Sequence, residues 1–134
     1  MQCADDLSVT DILEIKKARK LPPGVLDVYM AAAVLLGEEN KTISWKQLKA
    51  KYLASPKLFV GGLKNLISMV DNGDLPVERI DRVKPIVELP NFNPSVMKTK
   101  ASAACGTCDF INVLVAYYEM LSQERLRAVL QKIR

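Results

Sequence analysis

The stretch PPGVLDVYMAAAVLLG, residues 22–37, decides the fold. It opens with two prolines, and a helix cannot run through two prolines, although it can begin at one. From residue 25 to residue 36 almost every side chain is apolar, so no face of this helix is suited to water. Gly37 then supplies a natural helix end. We therefore predict a central, buried helix over residues 23–36, around which the rest of the chain packs.

The segments on either side of this helix are also predicted to be helical. An amphipathic helix with basic last turns is expected over residues 7–20, with Ser8 or Thr10 as its cap. After the central helix, Ser44 and Gln47 form a capping-box pattern that opens a third helix. Ser55, followed by a proline, opens a fourth helix. These patterns predict an all-α fold.

Two further helices are expected in the second half of the chain. A short fifth helix is predicted from about residue 76 to residue 83, with Pro85 as its end. From Ser95 onward no proline occurs, so we predict a sixth helix of about forty residues, far longer than the globular mean of ~11–12. Its last part carries apolar residues at heptad spacing: Leu126, Leu130 and Ile133.

A helix of this length must project from so small a body. We predict a compact bundle of about six helices whose long last helix projects into a truncated antiparallel coiled-coil stalk. Residues 1–121 are expected to form the helical tip, and residues 122–134 the start of the returning stalk helix.

Composition excludes several classes of function. The 134 residues suit one domain, and no apolar run reaches the ~20 residues of a membrane-spanning helix. The chain has no histidine, which removes the commonest general base and the commonest transition-metal ligand. Its three cysteines are an odd number, and its N-terminus is acidic, so we expect a reducing compartment and no export signal. We predict no catalytic residues, no cofactor and no metal.

A CxxC motif occupies residues 105–108. It could be a redox pair or half of a zinc site. A structural zinc site needs four ligands, and Cys3 is the one further cysteine in a chain without histidine. A redox CxxC normally opens a helix that follows a strand, whereas this one is predicted to lie in the middle of a helix in an all-α pattern. We therefore interpret Cys105 and Cys108 as two small thiols on an inward helix face.

The main functional signal is a basic stretch. Residues 41–70 contain six lysines and no acidic residue, in a chain whose net charge is +4. Such a patch favours an acidic partner, which could be nucleic acid, an anionic membrane or an acidic protein surface. Lysine suits a diffuse acidic surface better than base readout, which prefers Arg, Asn and Gln. A basic helical nucleic-acid-binding module and a passive helical adaptor with a solvated patch remain alternatives.

Several local motifs, in this order, resemble the microtubule-binding domain at the tip of the dynein heavy-chain stalk. They cover nearly the whole chain. They are TDILEIK (10–16), PPGV (22–25), AAVLLG (32–37), SWKQ (44–47), PNFN (90–93) and KASAACG (100–106).

The resemblance implies docking on the acidic surface near the junction of α- and β-tubulin, with affinity switched by sliding of the two stalk helices. ATP hydrolysis is implied in a distant part of the heavy chain. No nucleic-acid or membrane partner is expected. The implied location is the cytoplasm and cytoskeleton, with an axonemal heavy chain of a cilium or flagellum favoured. The implied microtubule-binding residues are Lys16, Lys46, Lys49, Lys57, Lys98 and Lys100.

Some positions depart from the family pattern. Ser8 and Val9 stand where some members carry lysine, and Val96 stands where a glutamate often takes part in switching. The basic residue expected at the end of the third helix is replaced near Ala54, although Lys57 is close, and Arg127 stands where a stalk proline is expected. These departures imply that affinity and switching differ from those of the cytoplasmic motor.

Overall fold

The computed structural model describes residues 7–22, 24–40 and 43–133. Within these ranges the chain forms α-helices and one 3-10 helix, without a β-strand. The predicted all-α class and the long final helix are confirmed. In chain order the helices are α1 (Val9–Lys16), α2 (Val25–Leu35), α3 (Trp45–Tyr52), α4 (Pro56–Asn72), α5 (Val77–Val87), α6 (Pro94–Lys100), the 3-10 helix η1 (Ser102–Ala104) and α7 (Cys105–Ile133).

Helix α2 is the centre of the fold, as its composition predicts. Eight of its eleven residues are buried, and α3, α5 and α7 all pack against it. Gly24 precedes it with φ +90° and Gly37 follows it with φ +111°. Residues with a side chain rarely adopt such angles, so glycine is needed at both ends of the buried helix.

The predicted helix caps are present. Ser8 accepts a hydrogen bond from the Asp11 backbone N–H. The capping box at α3 is complete, since the Ser44 hydroxyl accepts from the Gln47 backbone and the Gln47 side chain accepts from the Ser44 backbone, both at 3.1 Å. Ser55 caps α4 in the same way. Local side-chain chemistry thus sets these helix starts, as expected.

The prediction of one unbroken helix from residue 95 to the C-terminus is wrong. Ala101 is extended, with φ −158° and ψ 95°, and it separates α6 from η1. The break allows both Met97 on α6 and the two alanines of η1 to be buried in the core. Helix α1 packs against η1. Burial therefore outweighs the helical propensity of these residues, which alone would favour a continuous helix.

The predicted end of the fifth helix is also wrong. Helix α5 continues through Pro85 to Val87. Pro85 lies in the last turn, where losing one backbone donor affects little of the helix. Ile86 and Val87 pack against the core, and this burial offsets the missing hydrogen bond. At the other end of the chain, α1 stops at Lys16, four residues earlier than predicted.

Helix α7 is fastened to the end of α4. The Tyr117 hydroxyl donates a hydrogen bond to the Asp71 carboxylate, which raises the pKa of Tyr117. The Arg125 guanidinium donates to the backbone carbonyls of Val70, at 3.3 Å, and Asp71, at 3.0 Å. These carbonyls belong to the last turn of α4, where a cation also complements the helix dipole. We call the contacts of Tyr117 and Arg125 with Val70 and Asp71 the α4–α7 clasp.

The last part of α7 leaves the body. Every residue from 122 to 133 is exposed, including Leu126 with 59% and Ile133 with 76% of the residue surface accessible. The apolar heptad positions therefore have no covering partner within the described residues. The division into a tip (1–121) and a stalk segment (122–134) stays a prediction.

A polar atom is buried in the centre of the core. The Tyr29 ring lies 5.9 Å from the Trp45 ring and 6.4 Å from the Phe59 ring, between centroids. The Tyr29 hydroxyl is the buried polar atom, and it makes no hydrogen bond of normal geometry with any of the described residues. Burial raises the pKa of Tyr29, and Thr107 only partly offsets this effect.

Removing this hydroxyl should not weaken the fold. We expect Tyr29→Phe to leave the free energy of unfolding unchanged or to raise it, because an unpaired buried hydroxyl costs free energy. Tyr29→Ala, the matched control, should lower it by about 3–5 kcal/mol through loss of the ring. Urea unfolding followed by circular dichroism measures both changes. A loss above ~1 kcal/mol for Tyr29→Phe would show that the Tyr29 hydroxyl makes a stabilising hydrogen bond, and would contradict its description as unpaired.

Candidate functional site

The lysines of the basic stretch lie on α3 and α4. Lys41 falls outside the described residues. The others differ in exposure: Lys49 is half-buried, whereas Lys46, Lys51, Lys57 and Lys64 are exposed. The sequence alone suggests one continuous basic patch. Their contacts in the structure divide these lysines into some whose charge is available to a partner and one whose charge is compensated within the fold.

One backbone carbonyl positions the first part of the site. The carbonyl oxygen of Ala18, just after α1, accepts hydrogen bonds from the Trp45 indole N–H at 3.0 Å and the Lys49 Nζ at 2.9 Å. Lys49 Nζ also lies 5.5 Å from the centre of the Trp45 ring, within cation–π range. These contacts hold the segment after α1 against α3 and fix the Lys49 ammonium group in place.

A second lysine joins the same two segments. Lys16, the last residue of α1, donates from Nζ to the Ala54 carbonyl at 3.1 Å. Together with α3, these residues line a shallow opening of about 350 Å³, the basic groove, whose lining consists of Lys16, Lys46, Lys49, Ala50 and Ala54. The acceptors of Lys16 and Lys49 are neutral carbonyls, so these bonds orient the ammonium groups without cancelling their charge. The basic groove can therefore receive a carboxylate.

Lys51 lies on the same helix, but its charge is compensated. Its Nζ lies 2.7 Å from the carboxylate of the buried Glu38, which also accepts from the Tyr52 hydroxyl at 2.7 Å and the Asn40 backbone N–H at 3.1 Å. These hydrogen bonds, that of Lys51 first, lower the pKa of Glu38 to about 2. Lys51 thus serves the fold and does not add to the basic groove.

The remaining predicted residues lie elsewhere. Lys98 lines a separate opening of about 440 Å³ that also contains the acidic residues Asp11 and Asp109. Lys100, in the last turn of α6, lies beside Gly24. Lys57 is exposed in the first turn of α4. Of the six lysines implied by the resemblance, the structure brings Lys16, Lys46 and Lys49 together.

Three residues that position lysines of α1 and α3 were missed from the sequence. Ala18 and Ala54 act through backbone carbonyls, which leave no trace in residue type. Glu38 lies outside the basic stretch, although it is the acidic partner of Lys51. The spacing of Trp45 and Lys49, four residues apart on one helix, is a signal that could have indicated their contact.

Other kinds of site find no support in the described part of the chain. Across residues 7–22, 24–40 and 43–133, no three His, Cys, Asp or Glu side chains are grouped as metal ligands. None of the described helices combines the length and apolar character needed to cross a bilayer.

Comparison with known proteins gives a consistent result. A family model described as the microtubule-binding stalk of dynein motors matches residues 1–133. The chain is 28% identical to the flagellar outer-arm dynein alpha chain of Chlamydomonas reinhardtii over 123 residues, which are 92% of this chain and 3% of the relative. It is 32% identical to human dynein axonemal heavy chain 14 over 114 residues, 85% of this chain and 3% of the relative.

A third relative, dynein heavy chain-like protein 2 of Plasmodium falciparum, is 27% identical over 131 residues, 90% of this chain. The chain spans only 2–3% of the length of these curated relatives. No solved structure matches it.

The Glu38 contacts predict a specific loss of stability in acid. Because the folded-state pKa of Glu38 is lowered to about 2 from 4.5, its contribution is complete above 4.5 and is lost as the pH falls toward 2. Glu38→Gln should therefore lower the free energy of unfolding at neutral pH and reduce the dependence of that free energy on pH between 4.5 and 2. Urea unfolding midpoints, measured from neutral pH to pH 2, give the change of stability with pH. Glu39→Gln, a change at the exposed neighbour, is the control, and an equal flattening there would refute the role of Glu38.

Proposed function

Because this chain belongs to the family of microtubule-binding stalks of dynein motors, we propose that its basic groove docks on the acidic surface of tubulin. The family is a non-catalytic part of the motor, and we assign ATP hydrolysis to the rest of the heavy chain, reached through the stalk. The axonemal names of several relatives support a location in the axoneme of a cilium or flagellum.

The basic groove is the observation that carries this proposal. Three lysines converge there, and two of them are oriented by carbonyls on a neighbouring segment. Oriented side chains lose less conformational freedom on binding than free ones, which favours affinity. Lys57 and Lys100, both exposed, extend the positive surface in our assignment. Lys98 is retained as a weaker contact because acidic residues share its opening.

The groove lining also favours tubulin over nucleic acid. Its side chains are lysine and alanine, and it offers none of the planar Arg, Asn or Gln groups that pair in a fixed bidentate geometry with base edges. Point charges on a shallow surface match a diffuse array of carboxylates. Tight, microtubule-independent binding to DNA or RNA would favour the alternative of a nucleic-acid-binding module.

The contacts of α1 support a switch driven by the stalk. The end of α1 provides Lys16 and leads to the Ala18 carbonyl that holds Lys49. The same helix packs against η1, which runs directly into α7. We propose that displacement of α1 relative to α7, as in a change of stalk register, moves Lys16 and releases Lys49, and so changes the affinity for the microtubule.

Co-sedimentation with stabilised microtubules tests the function directly. The chain is fused to a rigid antiparallel coiled coil in each plausible register, and pelleting is measured across a salt series. We expect binding that weakens with salt, since charge pairs are screened beyond ~8–10 Å near physiological ionic strength, and that differs between registers. Absence of pelleting in every register, with the helical fold intact, would refute the proposal.

Charge reversal in the basic groove tests the site. Lys46→Glu should weaken microtubule binding by roughly tenfold or more, because it places a negative charge against an acidic surface. A tenfold loss corresponds to ~1.4 kcal/mol of binding free energy. Lys46 is the best test because it is exposed and its replacement breaks none of the bonds to Ala18 or Ala54. Lys49→Glu and Lys100→Glu should also weaken binding, although Lys49→Glu removes a bond within the fold.

The matched control is Lys132→Glu, the same charge change near the end of α7. It should leave pelleting unchanged, because the exposed helix end carries Lys132 away from the groove. Equal weakening by Lys132→Glu and Lys46→Glu would indicate a net-charge effect and remove the site assignment.

A further inference from the structure

The CxxC motif lies at a different place from the one predicted. Cys105 is the first residue of α7, directly after η1, and Cys108 lies in the first turn of the same helix. The prediction that the motif lies in the middle of a helix is therefore wrong, and that part of the argument against a redox role no longer holds, although no strand precedes the motif within the described residues. Both cysteines are free thiols.

The two thiols differ in access. Cys105 is half-exposed and lines the opening of about 440 Å³ together with Lys98, Ser95 and Ser102, so a small molecule in solvent can reach it. Cys108 is fully buried, and its sulfur lies 3.9 Å from the Asn112 Nδ2 donor. Burial, with Cys105 and Asp109 adding to it, raises the pKa of Cys108 to about 12.

The spacing of the two residues permits a disulfide. Residues three apart on a helix face the same side, with Cβ atoms about 5–6 Å apart. A disulfide needs about 3.5–4.5 Å, so the first turn of α7 must tighten slightly. Tightening toward 3-10 geometry aligns residues i and i+3, and η1, immediately before Cys105, already has that geometry. Gly106, between the two cysteines, eases the backbone adjustment.

We propose that Cys105 and Cys108 form an oxidisable dithiol at the start of the stalk helix. The Cys105 thiolate attacks a low-molecular-weight disulfide, forming a mixed disulfide and releasing one thiolate. The Cys108 thiolate then attacks the Cys105 sulfur, closes the intrahelical disulfide and releases the second thiolate. The two protein thiols lose two electrons and two protons, and the small disulfide takes them up as two thiols.

Burial of Cys108 determines the order and pace of these steps. The solvent-accessible Cys105 reacts first, and the second step waits for the Cys108 thiolate. Because the pKa of Cys108 is about 12, that thiolate is scarce at neutral pH and becomes more abundant as the pH rises. The mixed disulfide on Cys105 therefore accumulates before the ring closes.

The test uses the whole chain carrying Cys3→Ser, so that the third cysteine cannot react, and oxidised glutathione as the probe. Intact mass is followed with time after an acid quench. We expect addition of one glutathione, then its loss together with two hydrogens, with the second step faster at mildly alkaline than at neutral pH. Peptide mapping should join Cys105 to Cys108.

Two variants make the outcome decisive. Cys108→Ala should stop at the mixed disulfide, whereas Cys105→Ser should leave the folded protein unreactive. Circular dichroism before the reaction establishes that each variant is folded. The proposal is overturned if Cys105→Ser reacts as fast as the parent, or if the parent keeps its mixed disulfide at alkaline pH. The proposal is also overturned if the disulfide between Cys105 and Cys108 forms only after the protein has been unfolded.

Discussion

The burial of most of the surface of helix α2 is the constraint on which the other elements depend. Complete burial of a Val or Leu side chain stabilises a fold by about 1.5–3 kcal/mol, and α2 gathers such side chains around most of its circumference, with Leu26, Asp27 and Met30 half-buried on the remaining side. Helices α3, α5 and α7 must each turn an apolar face toward it. Their polar faces are thereby turned outward, and this is why the lysines of α3 gather on one surface. The core thus positions the charge, and no ion pair among the described residues involves Lys16, Lys46 or Lys49.

The link between core and surface is the carbonyl of Ala18. Trp45 is buried between the core and this carbonyl, and it brings the Lys49 ammonium group to the same oxygen. A carbonyl that would otherwise need water is satisfied, and a flexible cation becomes oriented. Lys16 does the same for Ala54 across the groove. The charges remain available to a partner because their protein acceptors are neutral. Lys51, whose acceptor is the Glu38 carboxylate, has lost that availability.

The sequence predicts best those features that have a local cause. The capping box of Ser44 and Gln47 and the apolar α2 follow from neighbouring residues, and both are confirmed. The break at Ala101 could not be predicted, because it arises from burial on both sides of a residue with no breaking tendency of its own. The basic groove was only partly predictable. Residue type indicates which side chains are basic, but the carbonyls and the Glu38 partner that separate Lys49 from Lys51 are brought together by the fold.

The α4–α7 clasp determines where tension enters the body. Arg125 lies eight residues before Ile133, so a pull on the exposed end of α7 acts through about 12 Å of free helix before it meets the first anchor. The force is then taken up by the last carbonyls of α4 and, behind them, by Tyr117. The lysines of the basic groove are held by carbonyls on other segments, so this path does not pass through their bonds. The molecule thus carries load along one set of hydrogen bonds and orients its cations with another, and the packing of α1 against η1 is the contact that connects the two.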